Sequence, residues 1–252
     1  MLGTIFLGCA GWSLRKENFA LFDAGSHLER YASRFNCVEI NSSFYKSHRI
    51  STYQRWAAAT LPDFRFAVKL PKTITHINRL QDSQDDIAQF AAEVAGLGLK
   101  LGVVLVQLPP SLAFDADLVI PFIAQLRASR LGNVVIEPRH ASWFDAGVGS
   151  FLTNCGVGRV AADPGVTAEA GEPIIANGLA YFRWHGSPRI YYSSYDDATL
   201  VELSQRLVAA ASSAEVWCVF DNTAEGAATI NALSMQDHLS HAITGEGTHA
   251  NR

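Results

Sequence analysis

Glu137, Arg139 and His140 follow directly on the apolar run Val134-Val-Ile136, and the intervening Pro138 cannot donate to a sheet ladder. A carboxylate, a guanidinium and an imidazole where a buried strand must stop are the groups that hold an anion and move a proton. The pattern recurs along the chain. Glu39 with Asn41, Lys69 with Lys72, Gln107, Asp163, Arg183 with His185, and Asp221 with Asn222 each close an apolar run. Taken singly, such residues are ordinary: Asp163 before Pro164 starts a turn, and Asn222 can cap the last helix. Taken together they point to a site, because burying Glu, Lys, Arg and His is costly unless they pair or meet a ligand.

Residues two apart share a strand face. Glu137 and Arg139 are therefore expected to face the ligand, with His140 turned toward the helices and supporting them from behind. Arg183 and His185 share a face with Tyr181, Glu39 with Asn41, Lys69 with Ala67, and Gln107 with Leu105. One reading is a metal-free enzyme acting on a small anionic ligand that bears a phosphate or carboxylate. Lys69, Arg139 and Arg183 would hold the anion, Glu137 or Glu39 would be the base and His185 the acid. Asn41, Gln107, Asn222, Trp12 and Tyr45 would line the site, and no cofactor is required. Gly8-Cys-Ala-Gly11 is too short for a phosphate loop.

A second reading is a divalent metal held by Glu137, Asp163, His185 and Asp221, in the manner of sugar isomerases or endonucleases on related barrels. Arg139 and Arg183 would then sit beside the cation, which disfavours it. A third is a non-catalytic groove for nucleic acid or a protein partner, built from the basic and aromatic residues. The formal net charge of −4 argues against strong nucleic-acid binding. The tract from Ser187 to Tyr195 is polar and aromatic and reads as a lid or ligand wall. His76 and His140 are weaker candidates, since loop histidines often only bond the backbone.

The elements that must position these residues are eight apolar strands, predicted at 5–10, 37–45, 65–70, 102–108, 134–136, 158–162, 180–184 and 215–220. Helices are predicted at 27–35, 52–59, 85–97, 117–129, 148–154, 198–211 and 224–235. At an average of about 31 residues per unit, this is the spacing of parallel strands joined by right-handed crossovers. Eight such units are the size of a closed (β/α)₈ barrel, whose ligand site lies at the C-terminal ends of the strands. An open doubly wound sheet is the alternative, but no strand carries the charges of a blunted edge. The expected organisation is one TIM-type barrel over residues 1–244, followed by a polar, disordered tail at 245–252.

Of the 252 residues, 48% are hydrophobic and 17% charged, ample for one core. The N-terminus has no basic segment resembling a signal peptide, and no apolar stretch is long enough to span a membrane. A cytoplasmic location is expected. Cys9, Cys37, Cys155 and Cys218 lie far apart without a CxxC pair and read as reduced thiols. Oligomeric state is not legible.

Several tracts together resemble the YecE-like family, or domain of unknown function 72. They are Gly8-Cys-Ala-Gly-Trp12, Phe35-Asn-Cys-Val-Glu-Ile-Asn-Ser-Ser-Phe-Tyr45, Phe64-Arg-Phe-Ala-Val-Lys-Leu-Pro-Lys72 with Thr75-His76, Gln107-Leu-Pro-Pro110, Glu137-Pro-Arg-His-Ala-Ser-Trp143 and Arg183-Trp-His-Gly186. They run through nearly the whole chain. The resemblance implies a TIM-type barrel and leaves the activity open. Where members often carry Phe-Asn-Asn after the last strand, this chain has Phe220-Asp221-Asn222, which adds a charge. Pro138 replaces a variable residue within the Glu-X-Arg-His tract.

Overall fold

The computed structural model describes residues 2–244, so the predicted tail at 245–252 lies outside the described residues. All the strand pairings between named strands are parallel. Strands β1 (Ile5–Cys9), β2 (Cys37–Ile40), β3 (Arg65–Lys69), β4 (Leu101–Gln107), β5 (Asn133–Glu137), β6 (Gly158–Arg159), β7 (Ala161–Asp163), β8 (Leu179–Trp184) and β9 (Glu215–Phe220) form two sheets. One has the order β2-β3-β4-β5-β6 and the other β1-β9-β8-β7.

The sequence predicts one strand at 158–162, and the structure divides it. Val160 separates β6 from β7, and its N–H donates to the Ile136 carbonyl at 2.9 Å, so the run changes partner from β5 to β8 at that point. At the other seam, Ala10 bridges Glu39 in parallel, and the Asn36 side chain spans β1 by accepting from Leu7 N–H and donating to the Ile5 carbonyl. Tyr31 reinforces this seam: its hydroxyl donates to the Cys37 carbonyl and accepts from Cys9 N–H.

The helices are α1 (His27–Ala32), α2 (Ser42–Tyr45), α3 (Ile50–Ala58), α4 (Gln84–Val94), α5 (Ala116–Ala128), α6 (Val148–Asn154), α7 (Asp197–Ala211) and α8 (Ala227–Thr244). Ser26 opens α1 with a capping box, and Asp196 caps α7 through Thr199 N–H. The last helix starts later and runs further than the predicted 224–235, because residues 223–226 turn before it begins. A second departure concerns β2, which stops at Ile40. Asn41 has helical angles (φ −93°, ψ −16°) and leads into α2, while Ser43 Oγ is bonded to both the Ile40 and the Lys69 carbonyls.

Alternation along the strands divides the apolar side chains into two clusters. The larger lies between strands and helices and includes Val68, Val104, Ile136 and Phe182 with Tyr53, Phe90, Phe122 and Leu203. The smaller is formed by the opposite strand faces: Phe6, Cys37, Ala67, Val103, Leu105, Val135, Val160, Leu179, Tyr181, Trp217 and Val219. Gly102 is required here, since a Cβ would fall 2.4 Å from the Trp217 ring. Cys9, Cys37 and Cys218 are buried free thiols and Cys155 is half-buried. No helix among the described residues is long and apolar enough to cross a membrane.

Candidate functional site

The face that carries the smaller apolar cluster turns polar at the strand ends. Tyr181 and Arg183 of β8 alternate onto it, and His185 continues the ladder through its N–H to the Asp163 carbonyl at 2.7 Å. Arg183 is 1% exposed and lies among three carboxylates. Its Nε donates to Glu39 Oε2 at 3.0 Å, Nη2 to Glu39 Oε1 and Asp221 Oδ2 at 2.8 Å each, and Nη1 to Glu137 Oε2 at 2.5 Å. Four of the five guanidinium N–H bonds are thus committed within the protein. The Tyr181 hydroxyl donates to Glu39 Oε2 at 2.8 Å.

His185 lies between the other two carboxylates, with Nδ1 2.9 Å from Asp221 Oδ2 and Nε2 2.8 Å from Glu137 Oε1. Arg139 Nη2 reaches both Glu137 Oε1, at 2.6 Å, and His185 Nε2, at 2.9 Å. Nε2 cannot donate to Glu137 and accept from Arg139 at once. The neutral ring, protonated on Nδ1, accepts from Arg139; the imidazolium donates to both carboxylates.

Burial by itself would raise the Glu137 carboxyl, but Arg183, Arg139 and His185 outweigh it and hold the group well below the usual carboxylate range. Asp221 is lowered as well: burial opposes this, and Arg183 and then His185 prevail. Lys69 behaves differently. It is 9% exposed, makes no ion pair within 4 Å, and lies over the Phe44 ring with Nζ 4.2 Å from its centroid. Burial and then Arg183 push it down to about 8, against the pull of Glu39, Glu137 and Asp221. Arg139 also keeps unused capacity, since its Nε is buried without a hydrogen-bond partner.

The structure therefore brings together Glu39, Lys69, Glu137, Arg139, Arg183, His185 and Asp221. It places the other residues singled out from the sequence elsewhere. Asn222 donates to Ser193 O and Asn231 Oδ1, tying the 187–195 tract to α8. Tyr45 is 72% exposed and edges Phe44, because α2 turns it away from the strand end. Trp12 packs edge-on against Trp56. Gln107 pairs in register with Glu137 but bonds the neighbouring Leu108 carbonyl. The helical turn at Asn41 breaks the alternation that would have put it on the face of Glu39, and its Oδ1 is buried without a partner.

Asp163 accepts from the Tyr195 hydroxyl at 2.6 Å and shares no side-chain contact with Glu137, His185 or Asp221. No three His, Cys, Asp or Glu side chains among the described residues have a metal-holding arrangement. The carboxylates of a four-ligand metal set here face guanidinium groups, and both His185 nitrogens are engaged, so these donors do not fit a divalent cation. His140 bonds only Ser142, its Nδ1 accepting from Ser142 N–H and starting the short 3₁₀ turn Ala141–Phe144. His76 bonds Thr75 and edges Phe44.

The 187–195 tract forms a wall over His185. Tyr191 sets its ring edge-on to the imidazole at 5.8 Å, and Tyr195 anchors the far end by donating to Asp163 and accepting from Gly186 N–H. Tyr181 falls where alternation from Arg183 places it, on the face of Glu39. The role of Phe44 as the platform under Lys69 has no signal in the sequence, because only the turn into α2 brings it there.

The match to a family model described as "Protein of unknown function DUF72" covers residues 6–251. The chain is 34% identical over 122 residues to UPF0759 protein YecE of Escherichia coli K12, covering 48% of this chain and 44% of that one. It is 29% identical over 153 residues to UPF0759 protein YunF of Bacillus subtilis 168, covering 56% and 52%. The matched stretch thus spans about half the length of these curated relatives. A DUF72 family protein from Thermotoga maritima superposes with TM-score 0.77 at 25% identity, over 94% of this chain and 99% of that one. One from Enterococcus faecalis gives 0.77 at 23%, over 94% and 98%. A sugar phosphate isomerase/epimerase from Parabacteroides distasonis shares the fold at TM-score 0.52 and 12% identity, over 99% and 98%. On the family match along nearly its whole length, this chain belongs to the DUF72 family.

Proposed function

We propose that the two sheets close into one (β/α)₈ barrel, with β6 and β7 counting as a single strand, and that its C-terminal mouth binds a small anion and moves protons on it. Closure is supported by the continuous run through Val160, by the Ala10–Glu39 bridge and by an apolar cluster that draws on β1 through β5, Val160, β8 and β9. A flat sheet would not bring those side chains into mutual contact.

The observation that carries the anion reading is Lys69, a buried ammonium with no carboxylate partner among the described residues, in a cluster where the Arg139 Nε is also unpaired. In our reading Lys69 and Arg139 hold a phosphate or carboxylate. His185 is the acid and base, oriented by Asp221 and Glu137. Arg183 is removed from the ligand-binding set, because its donors already serve Glu39, Glu137 and Asp221, and it acts as the organising ion. Glu39 and Glu137 are counter-ions before they are bases. The buried free thiols suit a reducing compartment, which we take to be the cytoplasm.

The experiment is a calorimetric titration with inorganic phosphate and with acetate, followed by an NMR screen of small phosphorylated and carboxylated compounds in D₂O for deuterium incorporation. The expected result is a saturable site for acetate whose affinity falls at least about tenfold in Lys69→Met, as loss of a charge-assisted contact implies, the same site for phosphate lost in that variant, and exchange that disappears in His185→Gln. A wild-type protein that binds neither anion would overturn the reading. Binding that appears only with magnesium would favour the metal alternative.

A further inference from the structure

One enclosed space lies beside this site and outside it. A cavity of about 210 Å³ opens between the end of β1 and the start of α8, lined by Cys9, Ala10, Gly11, Ser13, Thr223, Gly226, Ala228 and Thr229. It adjoins the proposed mouth at two points: Ala10 pairs with Glu39, and Thr223 follows two residues after Asp221.

Its walls carry several donors. The N-terminus of the 18-residue α8 borders the cavity, and the backbone N–H groups of Ala227 and Thr229 find no acceptor among the described residues. Thr229 is 94% buried, being 6% exposed, yet its hydroxyl makes no hydrogen bond to any described residue while lining the cavity. The Arg15 guanidinium lies against the same helix start: a Cβ placed on Gly226 would meet Arg15 Nε at 2.6 Å. Among the described residues its only ion pair is an exposed contact of 3.6 Å with Glu17, which competes weakly. Gly11, held at φ +105°, borders the cavity, and a Cβ there would meet nothing within 4 Å, so the backbone is open on that side.

Free N–H groups at a helix start, the unpartnered hydroxyl of a buried threonine open to the cavity and a guanidinium against the Gly226 wall describe an anion cradle. We infer that this pocket binds a phosphoryl group. Cys9 adds no opposing charge, since burial raises its thiol to about 12 and keeps it neutral. The Asp221 carboxylate nearby is already turned to Arg183 and His185. If the mouth works as proposed, the substrate is a phosphomonoester whose phosphate rests at α8 while its reacting end reaches Lys69 and His185. That link rests on the proposed function, whereas the pocket itself does not.

The test follows backbone amide shifts in ¹H–¹⁵N spectra as inorganic phosphate is added, against sodium chloride at equal ionic strength. Saturable shifts are expected at Ala227, Ala228 and Thr229 in the wild type and in Lys69→Met. Arg15→Gln and Thr229→Val are each expected to weaken them roughly three- to tenfold, as loss of one hydrogen bond implies. Thr229→Ser is expected to restore them. The pocket is overturned if those amides do not saturate in the wild type, or if both variants leave the affinity unchanged. Shifts at α8 without any at Lys69 would instead sink the proposed function and leave the pocket standing.

Discussion

Arg183 and Glu39 meet through two parallel contacts, Nε to Oε2 at 3.0 Å and Nη2 to Oε1 at 2.8 Å, with both side chains almost fully buried. The planar fork is needed because the remaining donors must at the same time reach Glu137 and Asp221 in two further directions. Removing the arginine would leave three carboxylates buried around an empty volume. Arg183→Met is therefore expected to destabilise the protein by about 3–5 kcal/mol, seen as a lower urea midpoint. Arg183→Lys should recover little, since one ammonium cannot serve three acids. A loss below about 1 kcal/mol in the methionine variant would show that the cluster relaxes into solvent.

Lys69 gives a pH dependence of defined sign. Its pKa falls from 10.5 when unfolded to about 8 when folded. The unfolded chain therefore binds more protons between these values, and stability rises with pH from about 8 to 10.5. Below that window the cost of burying the ammonium is present in full. Anion binding should run the opposite way, since it needs the charged form, and should fall as pH passes about 8. Bound anion raises the lysine pKa and moves that midpoint upward. Acetate titrations from pH 6.5 to 9.5 check this, because acetate keeps one charge across the range, and Lys69→Met should show no such midpoint.

How much of this was legible in the sequence follows from what each feature depends on. The inward set of Glu137, Arg139, Arg183 and His185 was legible because it needs only alternation along extended backbone. Asn41 was misread for the same reason: alternation fails once the chain turns helical after Ile40, and no proline or glycine marks the turn. The pairing of Arg183 with Glu39 joins residues 144 apart and two different sheets, so no local pattern foretells it. Reading Arg183 as a ligand contact was natural for a strand-end arginine. Only the count of committed donors shows it to be structural.

Glu137 should govern part of the acid limb of stability. Its folded pKa lies well below 4.5, so the stability it contributes is complete above 4.5 and is lost as pH falls from 4.5 through the folded value. Glu137→Gln removes that contribution. The variant should be less stable at neutral pH and show a flatter stability profile below pH 4.5, as followed by denaturant unfolding at pH 3 to 6. Parallel profiles for the two proteins would mean that Asp221 carries the acid dependence.

Tyr195 tests whether the 187–195 tract is a fixed wall or a loose flap. Its hydroxyl donates to Asp163 Oδ2 at 2.6 Å and accepts from Gly186 N–H at 2.8 Å, while Asn231 holds its backbone. Tyr195→Phe keeps the ring packed on Trp184 and Phe220 but leaves both partners unsatisfied. The expected cost is about 1–3 kcal/mol, concentrated locally because Asn222 and Asn231 still bind the remainder of the tract to α8. Hydrogen exchange should speed up at Gly186 and leave β4 and β5 unchanged. If the tract is the wall over His185, the same variant should also weaken phosphate binding at Lys69 by loosening Tyr191. Faster exchange with unchanged phosphate affinity would separate the wall from the site and make it a structural clasp.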